Sequence, residues 1–278
     1  MLIDLHIHSA ASDGTDAPEA LLDIINKNNI KIFALTDHDN IDGVRRIEAK
    51  LNNYKNLKFI RGVELSCKAK HGKCHILAFN YDYDNKDFNA ILNLAEELRH
   101  NKLEKRLKFL RDEFKIEFNA DEIAGLRDNK ASGKPHIANL IVKHGFAESK
   151  ELAIKNFINK LDTGNTRIDA ELAIKAVLKA GGVPVWAHPF GGEGEPEISC
   201  ELLNLTLSEL KNYGLKGLEC YYSKYDMQRR EYLAGLAAQN NLLISAGSDY
   251  HGLNKKIKLG IEVEDLNKIT LLKALSQA

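Results

Sequence analysis

The stretch LIDLHIHSAASDGT, residues 2–15, decides how the rest of the chain is read. Asp4, His6 and His8 alternate with Ile3, Leu5 and Ile7. That period of two belongs to a β-strand and predicts that the three polar residues share one face. Polar groups on an apolar strand need partners, because burying them unpaired is costly. A lone histidine in such a place is ordinarily satisfied by nearby backbone. Two imidazoles projecting the same way, followed by Ser-Asp-Gly, suit a metal ion instead.

Six further runs read as strands: KIFALT (31–36), KFIRGVELS (58–66), CHILAF (74–79), VPVWAH (183–188), KGLECYY (216–222) and LLISAGS (242–248). Helical patterns lie between them, among them PEALLDIINKN (18–28), AELAIKAVLKA (170–180) and QRREYLAGLAAQN (228–240). Strands alternating with helices argue for parallel pairing and an α/β architecture, and seven of them suggest a barrel rather than an open sheet.

One region breaks the rhythm. Residues 86–165 hold no convincing strand but a long helical pattern over 88–114 and shorter ones after it. The expected organisation is a barrel from residues 1–96 and 166–278 with an inserted helical subdomain over 97–165. Inside it, Arg99, Lys102, Lys105, Arg106, Lys108 and Arg111 face only Glu104 within thirteen residues. Such a run is either a solvated helix face or an anion-attracting surface.

The bulk composition narrows the class. The 278 residues are 44% hydrophobic, enough for a substantial core. Lys+Arg and Asp+Glu are both 39, so any attraction for anions must be local. The start MLIDLHIHS has no basic, then apolar, leader pattern, and no run approaches the ~18 apolar residues of a membrane span. Cys67, Cys74, Cys200 and Cys220 form no C-x-x-C pair, and reduced thiols in the cytoplasm are expected.

The unusual residues fall at strand ends. His6 and His8 close the first strand, TDHD (36–39) the second, and Glu64 stands near the end of the third. His75 is on the fourth, His188 closes the fifth, and Asp249 and His251 follow the seventh. In α/β barrels such ends converge on one mouth, where active sites are built. One such residue is weak evidence, but six strands of seven bearing metal-type ligands predict a polynuclear metal site.

In this order, H-x-H-x-x-x-S-D-G, T-D-H-D, G-x-E, a lone His, A-H-P and G-S-D-x-H-G resemble the motifs of the PHP (polymerase and histidinol phosphatase) superfamily of metal-dependent phosphoesterases. SDGTDAPEALL, GKPHIANLIVKHG (133–145) and AGGVPVWAHP (180–189) are similar to the bacterial branch that includes RNase AM and nucleoside 3′,5′-bisphosphate phosphatases. The resemblance implies a distorted (β/α)7 barrel with an inserted helical lid and a three-metal centre. It implies that His6, His8, Glu64 and Asp249 hold the first metal. Glu64, His75 and His188 would hold the second, with Glu64 bridging, and Asp13, His38 and His251 the third. Manganese is the first choice; iron or zinc also fit such ligands.

Asp13, Glu64 and Asp249 are the only carboxylates in that set, so three divalent ions would leave an excess of three positive charges. Such a centre favours a phosphate dianion and in-line attack by a metal-activated hydroxide. Glu64, Asp249 and His188 are the expected catalytic residues. The expected substrates are phosphorylated nucleotides or short RNA: 5′-3′ exonucleolytic cleavage of RNA, removal of a phosphate from 3′,5′-bisphosphonucleosides, or both. The alternative is a proofreading or binding module associated with a polymerase. Lys134 and His136, at a helix start opened by Gly133 and Pro135, are expected to hold the phosphate that is not cleaved. Asp4, Asp37 and Asp39 would orient ligands or cap backbone, and Glu219 would form a wall or stand behind a ligand. Gly14, Gly247 and Gly252 would serve turns.

Overall fold

The computed structural model describes residues 1–129, 132–193 and 196–276. In chain order the elements are β1 (Leu2–Asp4), α1 (Pro18–Lys27), β2 (Ile32–Leu35), α2 (Asp42–Lys50), β3 (Lys58–Ala69) and β4 (Gly72–Phe79). Four helices follow: α3 (Lys86–Phe114), α4 (Ala120–Asp128), α5 (Lys134–Lys143) and α6 (Lys150–Asn156). Then come β5 (Ile168–Asp169), α7 (Ala170–Lys179), β6 (Val183–Trp186), α8 (Cys200–Tyr213) and β7 (Gly217–Tyr222). The chain ends with α9 (Met227–Gln239), β8 (Leu243–Gly247), β9 (Ile261–Glu262) and α10 (Thr270–Leu275).

Seven of these strands are the seven read from the sequence, and they form one nearly closed barrel-shaped sheet in the order β8-β7-β6-β4-β3-β2-β1. Beyond β1 and β8 the two edges meet through backbone bonds: Leu5 N to Ala246 O at 3.0 Å, Asp249 N to His6 O at 2.8 Å and His8 N to Tyr250 O at 2.8 Å. The short β5 and β9, which carry no strand signal of their own, add to β3 and β1.

Parallel pairing is not universal. β4 runs antiparallel to both β3 and β6. Only two residues, Lys70 and His71, join β3 to β4, and a parallel crossover needs a dozen or more. The reversal brings His75, near the start of β4, to the same end of the barrel as Glu64 on β3.

The alternation over residues 2–8 is also corrected. Ile3 and Leu5 pack with Ala34, Leu77 and Val185, whereas Ile7 packs with Leu21, Ile25 and Val44 of the outer helices. The chain bends at Leu5 because the Asp4 carboxylate accepts from His6 N at 3.2 Å, an Asx turn. Asp4 therefore faces Ser248 and Gly260 rather than sharing a face with His6 and His8.

Helix α3 belongs to two cores. Asn85 caps it by accepting from Phe88 N. Its first half buries Phe88, Ile91, Leu92 and Ala95 in one cluster with Trp186 and Leu218 of the barrel and Ile174 of α7. Its second half buries Leu103 and Leu110 with Leu126, Ile137, Ile141, Ala153 and Ile158. Residue 97 lies inside this continuous helix. Cys67 and Cys74 are cross-strand partners, and no disulfide forms among the described residues.

Candidate metal centre

β3 carries Glu64 into the middle of the barrel mouth, 1% exposed, and its two oxygens face different neighbours. Oε2 lies 3.3 Å from His6 Nε2 and 3.1 Å from His8 Nε2. Asp249 Oδ1 completes that group at 3.6 and 3.4 Å from the same two nitrogens. Oε1 lies 2.9 Å from His75 Nδ1 and 3.1 Å from His188 Nε2. A third group joins Asp13 to His251 Nε2 at 3.2 Å, with His38 Nε2 at 3.9 Å and His8 Nδ1 at 3.6 Å. The structure thus brings together all nine side chains singled out as ligands. It adds one detail: His8 turns its second nitrogen toward the Asp13 group.

The donor set fits cations. His38 Nδ1, Glu64 Oε2 and His251 Nε2 are buried and make no hydrogen bond. Such orphans are costly unless something else satisfies them. His6 Nε2 and His8 Nε2 face each other 3.2 Å apart. Ligand atoms ~2.1 Å from a tetrahedral ion stand ~3.4 Å from one another, the spacing of the His6–His8–Glu64–Asp249 group.

The electrostatics agree. Burial alone would push His6 down, but Glu219, Glu64 and Asp249 outweigh it and hold the imidazole well above its ordinary value. Burial also opposes the charge on His8, yet Asp249 and Glu64 raise it to about 9. The pocket calls for positive charge where these nitrogens meet. His38, lowered to about 3 by burial, keeps a free lone pair.

Neighbouring groups aim the ligands. Glu219, fully buried on β7, accepts from His6 Nδ1 at 2.9 Å and from His188 N at 2.9 Å. It fixes the His6 tautomer with Nε2 toward the cluster, as carboxylates behind metal-binding histidines do. Gly247 has no room for a side chain, since a Cβ would lie 2.2 Å from His6 Cβ; it serves close approach rather than a turn. Asp37 organises the Ser9–Asp13 loop by accepting from Ser9 N at 2.7 Å and Ser12 Oγ at 2.6 Å. Asp39 pairs with Arg99 of α3. Tyr222 at 3.0 Å and Lys255 at 2.7 Å both donate to Asp249 Oδ2, which leaves Oδ1 for the cluster. Asp39, His188 and Asp249 have positive φ (52°, 30° and 64°), so strained backbone sits where these side chains must point.

Replacing Glu219 with Gln is expected to lower metal affinity about 10- to 100-fold while the circular dichroism spectrum stays unchanged. Titration of the metal-free protein with Mn2+ checks this, and an unchanged affinity would refute the orienting role.

A cavity of 390 Å³ opens over the cluster. One wall is the histidine–carboxylate group. The facing wall carries Arg99, Lys102, Arg106, Lys134 and Arg167. Arg106 is 5% exposed and its Nε makes no hydrogen bond. Burial, then the charges of Arg106, Arg167 and Arg99, pulls Lys102 down to about 7. Burial and Arg106 bring Lys134 to about 8. The basic run is thereby divided: Arg99, Lys102 and Arg106 share the cavity face of α3, while Lys105, Lys108 and Arg111 line no part of it. Helical spacing of three and four could have separated them; Arg167 and Lys255 carried no such signal.

Lys134 lines the cavity and also donates to Asn159 Oδ1 at 2.5 Å. His136 does not reach it. Its Nδ1 accepts from Gly133 N at 3.1 Å, capping α5, and its Nε2 lies 3.1 Å from Asn129 Nδ2. His71 and His100 are exposed, and Trp186 is packed in the core.

Known proteins share this architecture. A 5′-3′ exoribonuclease of Haemophilus influenzae is 26% identical over 96% of both chains. A phosphoribosyl 1,2-cyclic phosphate 1,2-diphosphodiesterase of Eggerthella lenta is 26% identical over 91% of this chain and 95% of its own. A 3′,5′-nucleoside bisphosphate phosphatase of Chromobacterium violaceum is 25% identical over 90% and 87%. The solved structure of a protein assigned as a metal-dependent phosphoesterase, from Bifidobacterium adolescentis, superposes with a TM-score of 0.82. It is 26% identical and covers 98% of this chain and 95% of its own. The PHP domain profile matches residues 4–163, more than half of the sequence, and with this barrel and its His/Asp/Glu mouth the chain belongs to the PHP domain family.

Proposed function

We propose that this phosphoesterase acts on nucleotides or short RNA that carry a second phosphate near the scissile one. Phosphoester hydrolysis with metal ions is what the family and the site have in common. The finer reading rests on one observation: the acidic, histidine-rich wall is faced across 390 Å³ by five cationic side chains. Arg99 is answered by Asp39, but among the described residues Lys102, Arg106, Lys134 and Arg167 have no carboxylate partner, and a single phosphate on the metal wall would leave them so.

Nine residues would hold three divalent ions, manganese first: His6, His8, Glu64 and Asp249; Glu64, His75 and His188; Asp13, His38 and His251. Ions there would supply activated water and neutralise phosphate oxygens. The chain itself does the rest. Glu64 offers one oxygen to each of two groups, Glu219 holds His6 and the His188 backbone in place, and Lys255 keeps Asp249 turned. Arg106, Lys102, Lys134 and Arg167 bind the phosphate that stays, which makes the helical segment a lid. A cytoplasmic location belongs to the same reading, since nucleotide chemistry of this kind supports it. Among the described residues no helix is long and apolar enough to cross a membrane. The polymerase-associated alternative finds no support in the three relatives named.

Comparison of kcat/KM for adenosine 3′,5′-bisphosphate and a 5′-monophosphorylated RNA oligonucleotide separates the two substrate classes. Replacing Arg106 and Lys134 together by Ala is expected to cut kcat/KM on the preferred one about 10- to 100-fold, the worth of a charged hydrogen bond. p-Nitrophenyl phosphate, with no second phosphate, should change much less. Equal losses on both would remove the cation wall from substrate recognition.

A further inference from the structure

Asp13 and His251 stand on loops at the barrel mouth, His38 stands in an isolated β-bridge beside Glu64, and side chains from the helical segment reach residues next to them. Arg99 of α3 pairs with Asp39, the neighbour of His38, and donates to Ser66 Oγ at 3.1 Å. Lys150 of α6 donates to Asn254 Oδ1 at 2.8 Å, three residues past His251. Asn254 in turn donates from Nδ2 to the Asp13 carbonyl at 2.7 Å, so α6 reaches two of the loops through one amide.

The other ligands are held differently. Glu64 and His75 are ladder residues of β3 and β4. His6, His188 and Asp249 are aimed by Glu219, Tyr222 and Lys255, all barrel residues. The Asp13–His38–His251 group is therefore the one that the helical segment also reaches, through Lys150 and Asn254 to the Asp13 carbonyl and through Arg99 to Asp39 beside His38.

We propose that the helical segment is a positioning element for the Asp13–His38–His251 metal position, with Arg99 and Lys150 bracing it. This rests on the three-metal reading above. Coupling of this kind is reciprocal: if docking of the helices sharpens the position, filling the position must steady the helices. Loading that position then fastens the cationic wall over the cavity, so that a phosphate meets both walls at once.

The test uses the full chain, Mn2+ as the only added metal, and three variants: Lys150→Ala, Asn254→Ala and Lys150→Arg. None of them is a ligand, and Arg99 is left alone because it lines the cavity. Wild type is expected to bind three equivalents. Lys150→Ala and Asn254→Ala should weaken one of the three about 10- to 100-fold and leave two unchanged, whereas Lys150→Arg, which can still donate to Asn254, should keep all three. Hydrogen–deuterium exchange supplies a second readout without turnover. Mn2+ should slow exchange over α5 and α6 in wild type, although no ligand lies there, and slow it much less in the two Ala variants. A third equivalent of wild-type affinity in those variants would overturn the proposal, as would equal weakening of all three. Exchange over α5 and α6 that ignores Mn2+ would do so as well. Wild type saturating at two equivalents would instead overturn the three-metal reading beneath it.

Discussion

Replacing Glu64 with Gln is expected to lower kcat/KM by about a thousandfold, a loss of ~4 kcal/mol of transition-state stabilisation. The carboxylate faces five imidazoles through two oxygens: His6, His8 and His38 through Oε2, His75 and His188 through Oε1. Gln keeps the shape, but it removes the negative charge and turns one oxygen into an N–H2 donor, which repels a cation. One end of the side chain must then face either the His6–His8–Asp249 group or the His75–His188 group with the wrong polarity. The fold should survive, because the layers under the mouth are aliphatic and Glu64 takes its ladder place through backbone bonds. Steady-state kinetics, metal analysis and circular dichroism together check the expectation. A variant with near-normal kcat and full metal loading would show that Glu64 does not bridge.

Stripping metal with a chelator is expected to abolish activity and lower Tm by about 10 °C. The metal-free site buries Asp13, Glu64 and Asp249 among six imidazoles, and three of the buried polar atoms make no hydrogen bond. Ions that bind only the folded chain stabilise it by ~4 kcal/mol at a thousandfold excess over Kd. In a chain of this size each kcal/mol is worth ~2–4 °C. Scanning calorimetry with and without chelator, followed by Mn2+ add-back, measures the shift. If Tm stayed unchanged while the chelator removed all metal, the ions would contribute nothing to the folded state, and the orphaned atoms would have some other partner.

The nine ligand candidates and the seven barrel strands were legible in the sequence because both signals are local. A strand shows itself by its apolar run, and a ligand by its residue type at the run's end. The shared face predicted for Asp4, His6 and His8 failed on a local interaction of another kind, the Asx turn that bends the chain at Leu5. The β3–β4 reversal was readable in principle, since the short gap between those runs leaves no room for a crossover helix. Other roles depend on meetings between distant segments. Glu219 reaches His6 across 213 residues, and Lys150 reaches Asn254 across 104. Arg167 joins Arg106 and Lys134 on one wall only because β5 adds to β3 beside α3. His136 sits at a helix start, as expected, but capping and Asn129 use its ring, while Arg106, hidden in a run of charges, faces the cavity. The sequence by itself therefore determined the barrel and the ligand types. Only the tertiary structure decided which way each charged side chain points, because that direction is set by helix register and by partners remote along the chain.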